Sequence, residues 1–349
     1  MQTDDTSLDV TLLKTFSLIG VIFLHATLPF TIPEGFWTIY APWQSSLAEA
    51  FKFWGGLLII PSFMLASGYL AALSEDRRPR KASKYIVNRI KRLLVPWFLL
   101  SVFWMVPLYT LFDIPAYNRP KGFTLGETYQ ASLLGLFADH LWFLLVLFWV
   151  ASFWAVLQPL RRRFGLFFGI VCVFATSLLL HYYGQWLKMY CIWEIDGPLL
   201  WFTAGYVFFR YRICAEKAAA WHPLVLFIVN AVCFVALSRY SSRTPLIYWI
   251  TSGLGALAAF HACLYFVRIH EWLRKFWMYR YFEENSFRFY LFHMPGGYLT
   301  FNILTSMGMT TPLLLILLSF SFNICLTAGI VTMVNAIEKR FKFISILSK

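Results

Sequence analysis

Charge is scarce in this sequence. Asp, Glu, Lys and Arg make up 13% of its 349 residues, against about 25% in ordinary soluble domains. So few charges cannot cover a soluble surface, which excludes a soluble enzyme and a disordered chain. Acids are scarcer still, 17 against 30 Lys and Arg. The six cysteines, at 172, 191, 214, 233, 263 and 325, form no CxxC and no metal-ligand spacing. They read as small membrane-buried residues, not as a disulfide scaffold or a zinc module. The start lacks the basic region of a cleaved signal peptide: Asp4, Asp5 and Asp9 stand there, and no small-residue cleavage site follows. No low-complexity tract or long linker divides the chain, and no five-plus-five repeat of the transporter kind is visible.

What is present is apolar: 59% hydrophobic and 20% aromatic residues, with a mean hydropathy of +0.63. A helix needs roughly 20 apolar residues to cross about 30 Å of hydrocarbon. Ten stretches qualify, near 12–30, 53–73, 93–112, 132–157, 165–183, 196–210, 221–238, 245–267, 287–305 and 312–336. The sixth, with Gly197-Pro198 at its start and Gly205 inside, reads as broken or re-entrant. The fold class is therefore all-α, one polytopic membrane domain over 1–349 with no attached soluble domain. Ten spans put both termini on one side. The segments on that side carry 23 Lys and Arg and the opposite segments six, so the termini are expected in the cytoplasm. The net charge of +13 follows from these topogenic clusters and does not describe a nucleic-acid surface.

Few residues can carry chemistry inside such a bundle. Lys14 and His25 both fall in the first span, where ionisable groups are costly and are functional candidates by default. Eleven residues apart, they share a helix face about 16 Å apart along the axis. The lysine suits a phosphate at the inner mouth and the histidine a general base, although a snorkelling lysine and a structurally bonded histidine fit the same pattern. Arg89 and Arg92 precede the third span three residues apart, as a phosphate fork or as part of a topogenic loop. Ser67-Gly68 in the second span allows close approach of a helix or a ligand. His140-Leu141-Trp142-Phe143 stands at the outer start of the fourth span, where a Trp is also an ordinary interfacial anchor. His293, in Ser286-Phe287-Arg288-Phe289-Tyr290-Leu291-Phe292-His293, lies deeper. His181, His222, His261 and His270 lie near span ends or in loops and are assigned no chemistry. Among the acids, Glu194 and Asp196 are placed at a span end, and Glu49 and Glu127 in outer segments.

Taken in order, these motifs resemble acyltransferase family 3, the integral-membrane O-acyltransferases of bacterial surface glycans. Lys14 and His25 reproduce the family's basic residue, ten positions and histidine. Pro61 to Tyr69 follows its P-x-F-F-x-x-S-G-Y/F phrase with Ser62 and Met64 varied. Arg89 and Arg92 match R-x-x-R, His140 to Phe143 match H-L-W-F/Y, and Ser286, Tyr290 and His293 match S-x-x-x-Y-x-x-H. Two departures stand out: members usually have arginine where Lys14 stands, and aspartate where Thr11 stands. The resemblance implies transfer of an acyl group, most often acetyl, from cytoplasmic acyl-CoA to a sugar hydroxyl of a cell-surface or lipid-linked glycan, in the bacterial cytoplasmic membrane. It implies acetyl-CoA as co-substrate, and neither a metal nor nucleic acid is expected. Arg89, Arg92, Lys14 and Ser67 would hold the donor. His25 would be the base, with Lys14 and His293 also at the catalytic centre. His140, Trp142 and Tyr290 would meet the acceptor. Direct transfer and an acyl-histidine intermediate both remain open. The rival reading is a transporter or flippase for a lipid-linked saccharide, with the same buried groups as substrate or proton-relay sites.

Overall fold

The computed structural model describes residues 5–32, 40–114, 122–137, 139–215, 223–294 and 296–340, and only the backbone of 5–9, 212–215, 223 and 268. Asp4, Arg119, Lys121, Lys217, His222, Lys342 and Lys349 lie outside the described residues, as do the side chains of Asp5, Asp9, Arg212, Cys214 and Arg268. The described residues are helical, with no strand among them. Membrane hydrocarbon leaves backbone groups no partner but their own helix.

Among the described residues, seven helical stretches are long and apolar enough to cross a membrane: Val10–Phe30, Ser46–Arg77, Ala82–Leu111, Asp139–Val156, Gln158–Trp186, Pro245–Tyr265 and Pro312–Arg340. They are built from α1 (Asp5–Thr27), α2 (Ser46–Arg77) and the end-to-end run of α3 (Ala82–Arg89), α4 (Val95–Leu100) and α5 (Val106–Leu111). A short α6 (Leu125–Leu133), started by a Thr124–Glu127 capping box, precedes α7 (Trp142–Val156) and α8 (Gln158–Tyr183). Next come α9 (Asp196–Ala215), α10 (Pro223–Ser238) and α11 (Pro245–Tyr265). The helices α12 (Val267–Leu273) and α13 (Trp277–Glu284) are short; α14 (Ser286–Phe292) and α15 (Gly296–Ser306) follow, and α16 (Pro312–Arg340) is the last.

Three of the ten expected stretches take other forms. The sixth is not broken: α9 runs unbroken because Pro198 sits in its first turn, where the N–H it lacks has no intrahelical acceptor. The seventh becomes the 16-residue α10. The ninth is the interrupted one, split into α14 and α15 around Met294-Pro295-Gly296. The fourth also starts later than expected, because Gly135 (φ +69°) turns the chain and the helix begins only after Asp139.

The densest helix pair is α2 against α9, and it depends on two glycines. A Cβ on Gly68 would lie 1.8 Å from the Phe202 carbonyl oxygen, and one on Gly205 would lie 2.0 Å from that of Leu65. Each helix thus seats its glycine on the other's backbone, the small-residue contact that brings membrane helices together. This accounts for the Ser-Gly step without a ligand. At the basic end of the bundle, Glu75 of α2 accepts from Gln158 (3.0 Å) and Tyr206 (2.8 Å) and lies 3.7 Å from Arg161. That network ties α2, α8 and α9 together, with the Arg161 guanidinium stacked over Trp154 at 4.1 Å. Around α1 stand α2, α11 and α16.

Gly68→Ala and Gly205→Ala place a methyl group inside a backbone carbonyl, so each is expected to cost about 1–3 kcal/mol. Gly56→Ala is the control, because a Cβ there meets nothing within 4 Å and alanine favours the helix by about 1 kcal/mol. Thermal unfolding in detergent checks this: the first two variants melt lower than wild type and the third does not.

Candidate active site

The interruption between α14 and α15 organises the centre of the molecule. Pro295 carries no N–H, so the carbonyl of Leu291, four residues earlier, has no helical donor. His140 supplies one: its Nε2 lies 3.0 Å from the Leu291 oxygen. The Trp104 indole donates to the Met294 carbonyl at 3.0 Å. His293, at the end of α14, turns its Nδ1 onto the Tyr290 carbonyl at 2.8 Å. The Tyr290 hydroxyl in turn donates to the carbonyl of His140.

His25 completes the cluster from α1. Its Nδ1 lies 3.1 Å from Nε2 of His293, and the two rings are stacked with centroids 5.1 Å apart. His140 meets His293 edge-on at 4.7 Å. Carbonyl oxygens only accept, and this fixes the tautomers. His293 must carry its proton on Nδ1 to bond Tyr290, so its Nε2 holds a lone pair. That lone pair accepts the Nδ1–H of His25, which makes Nε2 the basic nitrogen of the His25 ring. His293 and His140 are buried, at 0% and 3% exposure, whereas His25 keeps part of its surface uncovered.

A carboxylate stands behind the histidines. Asp139, in a left-handed conformation (φ 42°) that Asp tolerates better than most residues, puts Oδ2 3.7 Å from Nδ1 of His140. It also accepts the hydroxyl of Tyr109, whose ring packs edge-on against Tyr298 at 5.9 Å. Asp139 falls inside the expected span 132–157 and is not among the residues the sequence motifs single out. The available signal was an acid directly before a histidine in an apolar stretch.

The basic residues gather at the other end of α1. Lys14 keeps part of its surface uncovered, and Arg92 and Arg89 are its electrostatic neighbours. Arg89 is half-buried, donating to the Tyr85 hydroxyl at 2.7 Å with its guanidinium 4.8 Å from the ring centre. Arg92 is exposed. The helix passes into a π turn, Ile90–Leu94, directly after Arg89, and Arg92 lies within that turn; the two guanidinium groups remain electrostatic neighbours. Among the described residues no carboxylate pairs with Lys14, Arg89 or Arg92. On the α1 face between Lys14 and His25, Leu18 and Val21 are buried, so that face points into protein and not into lipid.

The remaining expected residues are less central. Ser67 is half-buried beside the packing glycine Gly68. Trp142 lines a cleft at the end of the bundle opposite the arginines. Among the described residues no three His, Cys, Asp or Glu side chains form a group that could hold a metal.

The model of the acyltransferase 3 family, described as an acyltransferase domain, matches residues 7–332. No significant match was found among curated proteins or solved structures. A match over nearly the whole chain, through all the helices that bear the histidine cluster and the cation group, leaves one conclusion: the chain is a multi-pass membrane protein that belongs to the acyltransferase 3 family.

Proposed function

We propose that this membrane acyltransferase moves an acetyl group from acetyl-CoA, bound at its cytoplasmic face, to a sugar hydroxyl of a cell-surface or lipid-linked glycan, with His25 as general base. The membrane is the bacterial cytoplasmic membrane, with both termini inside. The observation that carries the reading is the His293–His25 hydrogen bond, which aims one basic nitrogen and anchors the ring that carries it. An imidazole left unanchored in a bundle would populate both tautomers.

The donor phosphates dock on Lys14, Arg89 and Arg92. Three neighbouring cations with no carboxylate partner among the described residues repel one another, and an anion relieves that repulsion. The family's usual aspartate would be a competing counter-ion, and Thr11 leaves the charge of Lys14 to the ligand. The pantetheine arm follows the α1 face towards His25. There Nε2 takes the proton of the acceptor hydroxyl as its oxygen attacks the thioester carbonyl. The tetrahedral intermediate collapses, the C–S bond breaks, and the CoA thiolate leaves with the proton from the imidazolium. Between those steps the positive charge on His25 is shared with His293 and faces the Asp139 carboxylate, which lies within its electrostatic reach. Tyr290 and His140 hold the histidine cluster in place, and the acceptor reaches it past Trp142.

Two experiments bear on this. Reconstituted protein is given labelled acetyl-CoA and a lipid-linked or soluble glycan acceptor. His25→Ala is expected to lose about 10²–10⁴-fold in kcat, the worth of a general base; undiminished transfer would remove His25 from the role. His293→Ala lowers kcat by up to about 10⁴-fold, the cost of a wrong tautomer, and leaves the KM for acetyl-CoA unchanged. Conversely, Lys14→Ala, Arg89→Ala and Arg92→Ala are expected to raise the KM for acetyl-CoA by about 10–100-fold each, since a charged hydrogen bond contributes about 1.5–3 kcal/mol. Their kcat stays near wild type. Equal binding of acetyl-CoA by all three variants and wild type, measured by thermal shift, would move the donor site elsewhere.

A further inference from the structure

A second built cavity lies at the end of the bundle away from the arginines. It is an open cleft of about 340 Å³ between α2, the start of α7, the end of α8 and the start of α9, at the lower end of the range of small-ligand sites. Trp142 forms part of its wall, two residues beyond His140. Aromatic residues at this depth are ordinarily interfacial anchors with their rings towards lipid. Here Trp142, Trp193, Trp201 and Tyr248 instead share one cleft with Glu194, Asp196 and His181, groups that would be costly against lipid.

The polar members are held in position. One oxygen of Asp196 accepts the backbone N–H of Gly197 at 2.7 Å, and the other lies 3.0 Å from Nδ1 of His181. Nδ1 of His181 is therefore the donor and its Nε2 an acceptor. Burial, with Asp196 nearby, pushes the Glu194 carboxyl up to about 7, so near neutrality it exists as donor and as acceptor. The indole N–H of Trp201 is committed to the Trp249 carbonyl at 3.3 Å, which leaves the ring as an apolar surface. Gly197 permits that ring position, since a Cβ there would stand 2.9 Å from it.

Aromatic faces beside fixed carboxylates match one ligand chemistry. A pyranose has a face of C–H groups for a ring to cover and an edge of paired hydroxyls for a carboxylate to receive. Among the described residues the cleft has no Lys or Arg in its lining and two carboxylates, which opposes a uronic acid or a phosphate. Resting on the acyltransferase reading above, we infer that this cleft is the acceptor subsite, and that it binds an uncharged sugar residue of the glycan through the indoles and the Asp196–His181 pair.

Gly56 offers a way to close the cleft without disturbing the fold, because it lines the space and a Cβ there meets nothing within 4 Å. Wild type, Gly56→Trp, Trp193→Ala and Asp196→Asn are prepared in nanodiscs, with Gly56→Ala as the folding control. Intrinsic tryptophan fluorescence is titrated with maltohexaose, chitotetraose and oligogalacturonate, without donor. The neutral oligosaccharides are expected to perturb the emission of wild type and Gly56→Ala, oligogalacturonate much less, and Gly56→Trp to bind at least tenfold more weakly. In transfer assays Trp193→Ala and Asp196→Asn raise the acceptor KM about tenfold and leave the acetyl-CoA KM unchanged. No response to either neutral probe, equal binding of the acidic one, or an unaltered affinity in Gly56→Trp overturns the subsite. Sugar binding that Gly56→Trp abolishes, in a protein that transfers no acetyl group to any acceptor, supports the subsite while the acetyltransfer reading fails.

Discussion

The hydrogen bond from Nδ1 of His293 to the carbonyl of Tyr290 is the constraint on which the centre depends. Inside a membrane bundle water does not complete a histidine's hydrogen bonds, so the backbone has to. An intact helix spends its carbonyls on itself. The interruption between α14 and α15 releases carbonyls at the end of α14, and imidazole and indole N–H groups take them. His293 takes Tyr290, His140 takes Leu291, and Trp104 takes Met294. Once the His293 proton is assigned, that of His25 follows, and the basic nitrogen has a direction. A helix break that would be only a cost in a structural bundle here orients a reactive group.

The two ends of the molecule handle charge in opposite ways. The buried cation Arg161 is neutralised in place by Glu75 and stacked on Trp154, as a buried charge usually must be. Lys14, Arg89 and Arg92 are close in sequence position to the same face, yet they have no carboxylate partner among the described residues. Their exposure is graded: Arg92 is open, Arg89 half-covered by Tyr85, and Lys14 set further along α1. A string of phosphates entering from water would meet them in that order. At the other end the charged groups of the cleft are carboxylates. On the functional reading proposed above, an anionic donor and an uncharged acceptor would find complementary surfaces on different sides, with the histidines between them.

Much of this was legible before any coordinates, and the limits have physical reasons. Hydropathy identifies the all-α membrane class because bilayer thickness imposes a length on every span. The pairing of Lys14 with His25 follows from helical periodicity alone, and α1 is one helix through both. Periodicity does not reach across the chain, however. That His25 would meet His293, 268 positions away, is a matter of tertiary packing, and the late motif could only place His293 deep in the membrane. His181 reads only as a residue at a span end, because its partner Asp196 lies 15 positions on, in another helix. Glycine and proline mark interruptions in a sequence without saying which one breaks a helix. Pro198 falls in a first turn and leaves α9 whole, whereas the ninth stretch is the one split, into α14 and α15.

The glycines also show why the family's Ser-Gly phrase need not mark a ligand. Gly68 and Gly205 are reciprocal, each pressed on the other helix's carbonyl, and the position of α9 relative to α2 is set by that contact. Asp196 and Trp201 stand on α9, and Gly56 stands on α2. The cleft between them therefore has its width fixed by a backbone contact roughly three turns away along α2. A residue with a side chain at 68 would spread the helices and widen the cleft before it touched any reacting atom. The small-residue motif therefore acts through distance: it sets the separation of the two cleft walls from a contact remote from them, and the Ser67 hydroxyl beside it plays no part in that effect.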